Sequence, residues 1–253
     1  MASSRSPFKD NKVLEREIRA FLKRHQATFA QNAKRTSAFF ELATYNSVVK
    51  FYEARGYAVV AKDLKGRDRK EFVYAMSPLA LPSRCSYFLA TMPYKTRPAR
   101  EFEIRHNLRV QSAHDVSVFV SPDYAVVERG AVVEVSAPHN FGGLGAYCYA
   151  EARNLRTFAE AKHYQPSAEM LLNFVGLVNE LMPVLMTGSI PGGYPVHCGP
   201  SIFISGVGSR HVERIKASLA QRYGINVFLG VFSRPNQLCS KSNYPNVKTV
   251  GSP

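Results

Sequence analysis

The chain has 253 residues, and 33 Lys and Arg against 19 Asp and Glu give it a formal net charge of +14, which points to a polyanionic partner, nucleic acid or an anionic membrane surface. Its 45% hydrophobic content is enough for a real core, in one large domain or two small ones. The four cysteines (Cys85, Cys148, Cys198 and Cys239) form no CxxC pair, which argues against a zinc ribbon and a dense disulfide scaffold, and no apolar run approaches the roughly 20 residues that span a bilayer.

Residues 1–10 read as a loose tail without the apolar segment of a signal peptide, so a reducing cytoplasm is the expected setting. Val13, Leu14, Ile18, Phe21 and Leu22 recur at helical spacing and predict a helix over residues 11–24. A second helix is predicted over 36–55, with Phe39, Leu42, Val48, Val49, Phe51 and Tyr52 as its apolar positions. Gly56 closes it and a strand starts at Tyr57. Residues 62–70 form a charged loop. Short strands are then predicted over 72–76, 87–91, 102–110, 116–120, 124–127 and 132–135. Pro138, Gly142, Gly143 and Gly145 mark residues 136–146 as a loop that would lie beside a site.

Residues 147–164 contain a strand with Glu160-Ala161-Lys162. A helix follows over 167–182, with Pro166 and Ser167 at its start and Pro183 at its end. Residues 190–199, rich in Gly and Pro, read as a loop. Strand 202–204, helix 209–222 ended by Gly224, and strand 225–232 have the crossover length of a right-handed parallel unit. The tail from residue 233 reads as polar and irregular.

The chemistry centres on Glu160 and Lys162. Two residues apart on a strand, they share a face, and Phe158, Ala159, Ala161 and Tyr164 make that strand partly buried rather than the solvated edge such a pair ordinarily marks. Upstream, Asp123 in Ser121-Pro122-Asp123 opens an apolar run. Two carboxylates hold a hard divalent cation, and a lysine beside it orients or helps deprotonate a water, or steadies charge on a phosphate. That is the chemistry of metal-assisted phosphodiester cleavage. Asp115 also opens an apolar run and competes with Asp123 for the role. Glu151 with Arg153 repeats the spacing, but Arg cannot give up a proton. Gly206-Val207-Gly208-Ser209 reads as a tight turn with Ser209 as N-cap rather than a phosphate loop. His163 should face the core. His197-Cys198 lacks the partner motifs of a Cys-His hydrolase.

The order of helix, β meander with Asp, strand with Glu-x-Lys, helix, strand, helix, strand, together with Pro122-Asp123 and Glu160-Ala161-Lys162, resembles the PD-(D/E)XK nuclease superfamily, or restriction-endonuclease-like fold. The resemblance implies an α/β fold: a restriction-endonuclease-like core with a central mixed β-sheet flanked by helices, plus an extra N-terminal helix and β insertions. The divisions would be 1–35 (tail and helix), 36–232 (nuclease-like domain) and 233–253 (basic irregular tail). It also implies that Asp123 and Glu160 bind Mg²⁺, with Mn²⁺ as a substitute, that Lys162 assists the attacking water, and that Glu41 on the leading helix joins the metal site. The implied activity is that of a Mg²⁺-dependent endonuclease-type phosphodiesterase acting on DNA rather than RNA, with a homo-oligomer left open. The alternatives are a non-catalytic nucleic-acid-binding module on the same fold, and a basic interaction subunit in which Glu160 and Lys162 only pair.

A basic surface would serve either nucleic-acid reading. From residue 214 onward the sequence has no Asp or Glu but contains Arg214, Lys216, Arg222, Arg234, Lys241 and Lys248. Further clusters lie at 62–70 and 95–109. Tyr94, Tyr194 and Tyr244 stand in Pro-rich loops, where they would stack on unpaired bases or pack onto the core.

Overall fold

The helix expected over residues 36–55 is present, but it is not a surface helix. In the computed structural model, which describes residues 16, 19, 36–63, 72–75, 85–94, 98–135, 147–188, 192–232 and 247–251, helix α1 spans Thr36–Ala54. Phe40, Tyr45, Val49 and Tyr52 are fully buried, and so is Thr44. Two of its buried hydroxyls bond back to the helix itself. Thr44 Oγ1 donates to the Phe40 carbonyl (3.0 Å), and Ser47 Oγ donates to Ala43 O (3.2 Å). Gly56 ends the turn at φ 87°, a left-handed conformation that favours glycine. The helix predicted over 11–24 lies outside the described residues apart from Arg16 and Arg19, both helical.

The strands are β1 (Ala58–Lys62), β2 (Tyr87–Met92), β3 (Arg100–His106), β4 (Arg109–Gln111), β5 (Phe119–Val120), β6 (Tyr124–Glu128), β7 (Val132–Val135), β8 (Tyr147–Ala150), β9 (Leu155–Lys162), β10 (Val196–Cys198), β11 (Ser201–Ile204), β12 (Asn226–Phe228) and β13 (Thr249–Gly251). Helices α2 (Ala168–Leu181) and α3 (Arg210–Arg222) complete the architecture. The protein is α/β, with a central seven-stranded mixed sheet in the order β1-β2-β3-β6-β9-β11-β12. The β1–β9 side is antiparallel, whereas β9, β11 and β12 run parallel, as the strand–helix–strand reading expects. One face packs on α1 through Tyr124, Val126, Ala159 and Ala161. The other packs on α2 and α3 through Ala125, Phe158, Ile202 and Ile204. Ser209 caps α3 by accepting the Val212 N–H (3.3 Å), and Ser167 caps α2 by accepting that of Met170 (3.1 Å).

Several strand expectations are corrected. Residues 72–75 are not a strand; Phe72 and Tyr74 instead bury their rings beside Tyr45. The single strand expected over 102–110 is two strands in different sheets, β3 and β4. The break is at Asn107, with φ 53°, the residue type besides glycine that best tolerates this conformation. Its N–H donates to Asp123 O (3.0 Å) and its amide to Ala75 O (2.7 Å), so tertiary contacts hold the kink. Only Phe119–Val120 of the 116–120 run is strand, and only Asn226–Phe228 of 225–232. Residues 136–146 lie outside the described residues.

The loop expected over 190–199 and the irregular tail also hide a pair of strands, since β10 pairs with β13 antiparallel. Asn226 holds this pair in place. Its side-chain oxygen accepts from Lys248 N (2.8 Å), and its amide donates to Lys248 O (3.1 Å) and Gly199 O (3.2 Å). Lys248 O and Gly199 O keep other donors, the Gly199 N–H and Ser201 Oγ, so Asn226→Ala would take the side-chain acceptor from the Lys248 N–H and remove the clamp, and is expected to lower the unfolding free energy by about 1–3 kcal/mol. Urea titration tests this, and a variant as stable as the parent would show that the clamp does not hold β13.

Candidate active site

Asp123 and Lys162 are 39 positions apart in sequence. Strand pairing brings them together. Because β6 and β9 run antiparallel with Tyr124 opposite Ala159, the start of β6 lies against the end of β9. Tyr124 and Ala159 face α1, so Asp123 and Glu160, the next residues outward, both turn to the α2 face, and Lys162 follows Glu160 by the strand period of two.

The contacts are direct. The Ala161 N–H donates to Asp123 Oδ2 at 2.6 Å. Lys162 Nζ lies 3.5 Å from the same oxygen and is in close contact with Glu160 Oε2. The Asp123 and Glu160 side chains are only 15% and 11% exposed, against 36% for Lys162, so the amine is the member open to solvent. A cavity of about 430 Å³ opens beside them, lined by Glu160, Lys162, Tyr164 and the first turns of α2.

The electrostatics follow from burial. Burial pushes the Asp123 carboxyl above its ordinary range; Lys162 and the Ala161 N–H oppose this, and Glu41 adds to it. Burial and the neighbouring Asp123 charge raise Glu160 to about 7, with Lys162 again opposing. Burial also works against the Lys162 charge, but the two carboxylates outweigh it, and the amine pKa is raised. Lys162 is therefore a cation, suited to holding a water or a phosphate oxygen rather than to removing a proton while both carboxylates flank it. All three pKa values are shifted upward, and perturbed groups gathered beside a cavity concentrate at functional sites.

The other candidates lie elsewhere. Asp115 sits in an exposed turn, where it accepts hydrogen bonds from Ser117 N (2.8 Å) and Ser117 Oγ (2.7 Å), and these hold its pKa low. The neighbouring Ala113 N–H donates to Glu180 O in the last turn of α2. The 14 residues of α2 put that turn about 20 Å from the helix start, where Ser167 lines the cavity with Lys162. Asp115 is thus not brought together with Asp123, Glu160 and Lys162. Glu41, on α1, turns its carboxylate to His106 Nε2 (3.7 Å) across the other sheet face, and reaches the cluster only through its effect on Asp123. Glu151 pairs with Arg153 in an exposed turn. Among the described residues no group of three or more His, Cys, Asp or Glu side chains is disposed to hold a metal ion. Asp123 and Glu160 are a carboxylate pair, and a pair with several waters is a common Mg²⁺ donor set.

His163 faces the core, as expected: Nδ1 lies 3.0 Å from Ser205 Oγ, the ring meets Phe40 (5.8 Å between centroids), and burial lowers its pKa. His197 is buried against Tyr52 with its pKa pushed down to about 3, which suits packing. Sequence reasoning missed His106, stacked on Tyr124 (5.8 Å) and next to Glu41. No local signal marks it; only the pairing of His106 with Tyr124 brings it here.

The basic clusters are less available than composition suggests. Arg105 is buried with Glu103 (2.7 Å) and lies 3.9 Å over the Tyr87 ring, Arg100 pairs with Glu128 (3.4 Å), and Lys216 pairs with Glu213 (3.4 Å). Arg222 lies over Tyr223. Arg210 and Arg214 remain exposed on α3. Tyr94 and Tyr194 pack on each other at 5.7 Å, which favours the packing reading of those rings. Tyr244, Arg234 and Lys241 lie outside the described residues. No helix among the described residues is long and apolar enough to cross a membrane. No family model, curated protein or solved structure matches the chain.

Proposed function

We propose that the protein is a Mg²⁺-dependent nuclease that hydrolyses phosphodiester bonds, with a restriction-endonuclease-like core and a preference for DNA that rests on the resemblance alone. The observation that carries this reading is the junction of Asp123, Glu160 and Lys162 on one sheet face beside a cavity. The order of elements around it, α1, the β3–β6–β9 meander, α2, and the parallel β11–α3–β12 unit, supports the same reading.

Asp123 and Glu160 would hold the cation, whose buried negative charges a divalent ion relieves. When bound, Mg²⁺ supplies a polarised water and neutralises charge on the phosphate. Lys162, protonated and partly exposed, holds the water or a non-bridging phosphate oxygen in line. Exposed cations such as Arg210 and Arg214 hold the polyanion through charge.

The test is incubation with single-stranded and duplex DNA in Mg²⁺, Mn²⁺ or EDTA, with binding measured across salt concentrations. The expected result is cleavage in either metal and none in EDTA, with affinity falling steeply as salt rises because bound cations displace counterions. Salt-sensitive binding without cleavage would make the chain a binding module. Neither binding nor cleavage would leave Asp123, Glu160 and Lys162 as a structural ion-pair cluster.

A further inference from the structure

The cavity beside Glu160 and Lys162 has its own chemistry. Its volume of about 430 Å³ is at the small end of ligand sites, about 300–1,000 Å³, and suits a single base or nucleoside rather than a helix. Phe174, Met170 and Leu177 from α2 and Ile202 from β11 give it an apolar wall. Tyr164, two residues beyond Lys162, lines it and is 66% exposed. That is an unusual amount of open aromatic surface beside a charged cluster.

Glu169 and Asn173 line the same cavity. They are four residues apart on α2, so they stand on one helix face, and both are exposed. Glu169 decides what enters. A carboxylate here repels phosphate, so a polyanion backbone does not fill the cavity. The backbone instead lies toward Lys162 and the loop leading into α3, where Gly206 N–H donates to Tyr164 O (3.1 Å) and the exposed Arg210 and Arg214 follow. What Glu169 and Asn173 offer is hydrogen bonding: a carboxylate accepts from an exocyclic amine, and an amide pairs with adenine through a donor and an acceptor.

We propose that this cavity receives one unpaired nucleobase adjacent to the phosphate under attack, so that the substrate is a single-stranded or locally unpaired nucleic acid. This rests on the nuclease reading above. Tyr164 stacks on the base face, and Glu169 and Asn173 meet its edge. Bases with an exocyclic amine are favoured over thymine or uracil, which offer Glu169 no amine. A base within a continuous duplex has its faces stacked and its edge paired, so it enters only if extruded.

The experiment uses the full chain in EDTA, where binding is read without cleavage. The probes are single-stranded oligonucleotides carrying 2-aminopurine at successive positions, with the matched duplexes. The expected result is fluorescence quenching confined to one position of the bound single strand. Tyr164→Ala should abolish that quench and weaken single-strand binding roughly 5- to 100-fold while leaving duplex binding unchanged. Glu169→Gln should reduce the preference for amine-bearing bases. The exposure of Tyr164 and Glu169 keeps these changes off the core, and the circular dichroism of both variants should match the parent. Equal affinity of Tyr164→Ala and parent for single strands, with no position-specific quench, overturns the base pocket and leaves the nuclease reading standing. No binding of either probe at low salt overturns both.

Discussion

Lys162→Ala is expected to lose about 10²–10⁴-fold in the rate of metal-dependent cleavage while binding nucleic acid nearly as the parent does. On the nuclease proposal, affinity would be spread over exposed cations, so one lost charge would cost little. Chemistry would rest on one amine, held 3.5 Å from Asp123 and in contact with Glu160, where it is kept protonated and partly exposed. Lys162→Arg is also expected to be slow, because the planar guanidinium differs in shape and reach. Single-turnover cleavage at saturating protein separates the two effects. If Lys162→Ala cuts as fast as the parent, Glu160-Ala161-Lys162 is structural and the nuclease proposal loses its main support.

Glu160→Gln is expected to lose activity to a similar degree and yet to gain stability at alkaline pH. Burial and Asp123 raise the Glu160 pKa from 4.5 to about 7. Below about pH 4.5 both folded and unfolded states carry the proton. Between about 4.5 and 7 the native state keeps a proton that the unfolded chain releases, so this contribution to stability is lost as pH rises, and the loss is complete above about 7. Removing the charge should therefore stabilise the variant over the parent by about 1–3 kcal/mol at pH 8, and by little at pH 4.5. Urea unfolding at the two pH values measures this. An equal difference at both would show that Glu160 is not strained by its burial. Mg²⁺ supplies an independent check: bound by Asp123 and Glu160, it should raise the melting temperature of the parent at pH 8 and have little effect on Glu160→Gln. A site that destabilises the fold it belongs to reflects the common trade between stability and activity.

Helices were the most legible part of the chain. Ser167 and Pro183 bracket α2, Ser209 caps α3, and Gly56 closes α1, because caps and glycine act over a few neighbouring residues. The strands β2 and β6 of the central sheet were also legible, since apolar runs mark them. Errors fell where long-range contact decided the outcome. Asn107 divides one apolar run between two sheets because Asp123 and Ala75 hold its kink. The partner that makes residues 249–251 a strand is β10, far away in sequence. Arg105, part of the basic cluster at 95–109, is buried against Glu103 and Tyr87.

By itself the sequence determined which residues have the right chemistry. Glu160 and Lys162 share a face because strand side chains alternate, whatever else the chain does. It left Asp115 competing with Asp123, since each opens an apolar run. The tertiary structure separates them in space. The antiparallel register of β6 on β9 carries Asp123 to the Ala161 N–H, while Asp115 is spent in a turn with Ser117 at the other end of α2. The cavity, the raised pKa values and the place of His106 are likewise properties of packing. They depend on which surfaces exclude water from which charges, and the chain sets that only when the sheet has closed against its helices.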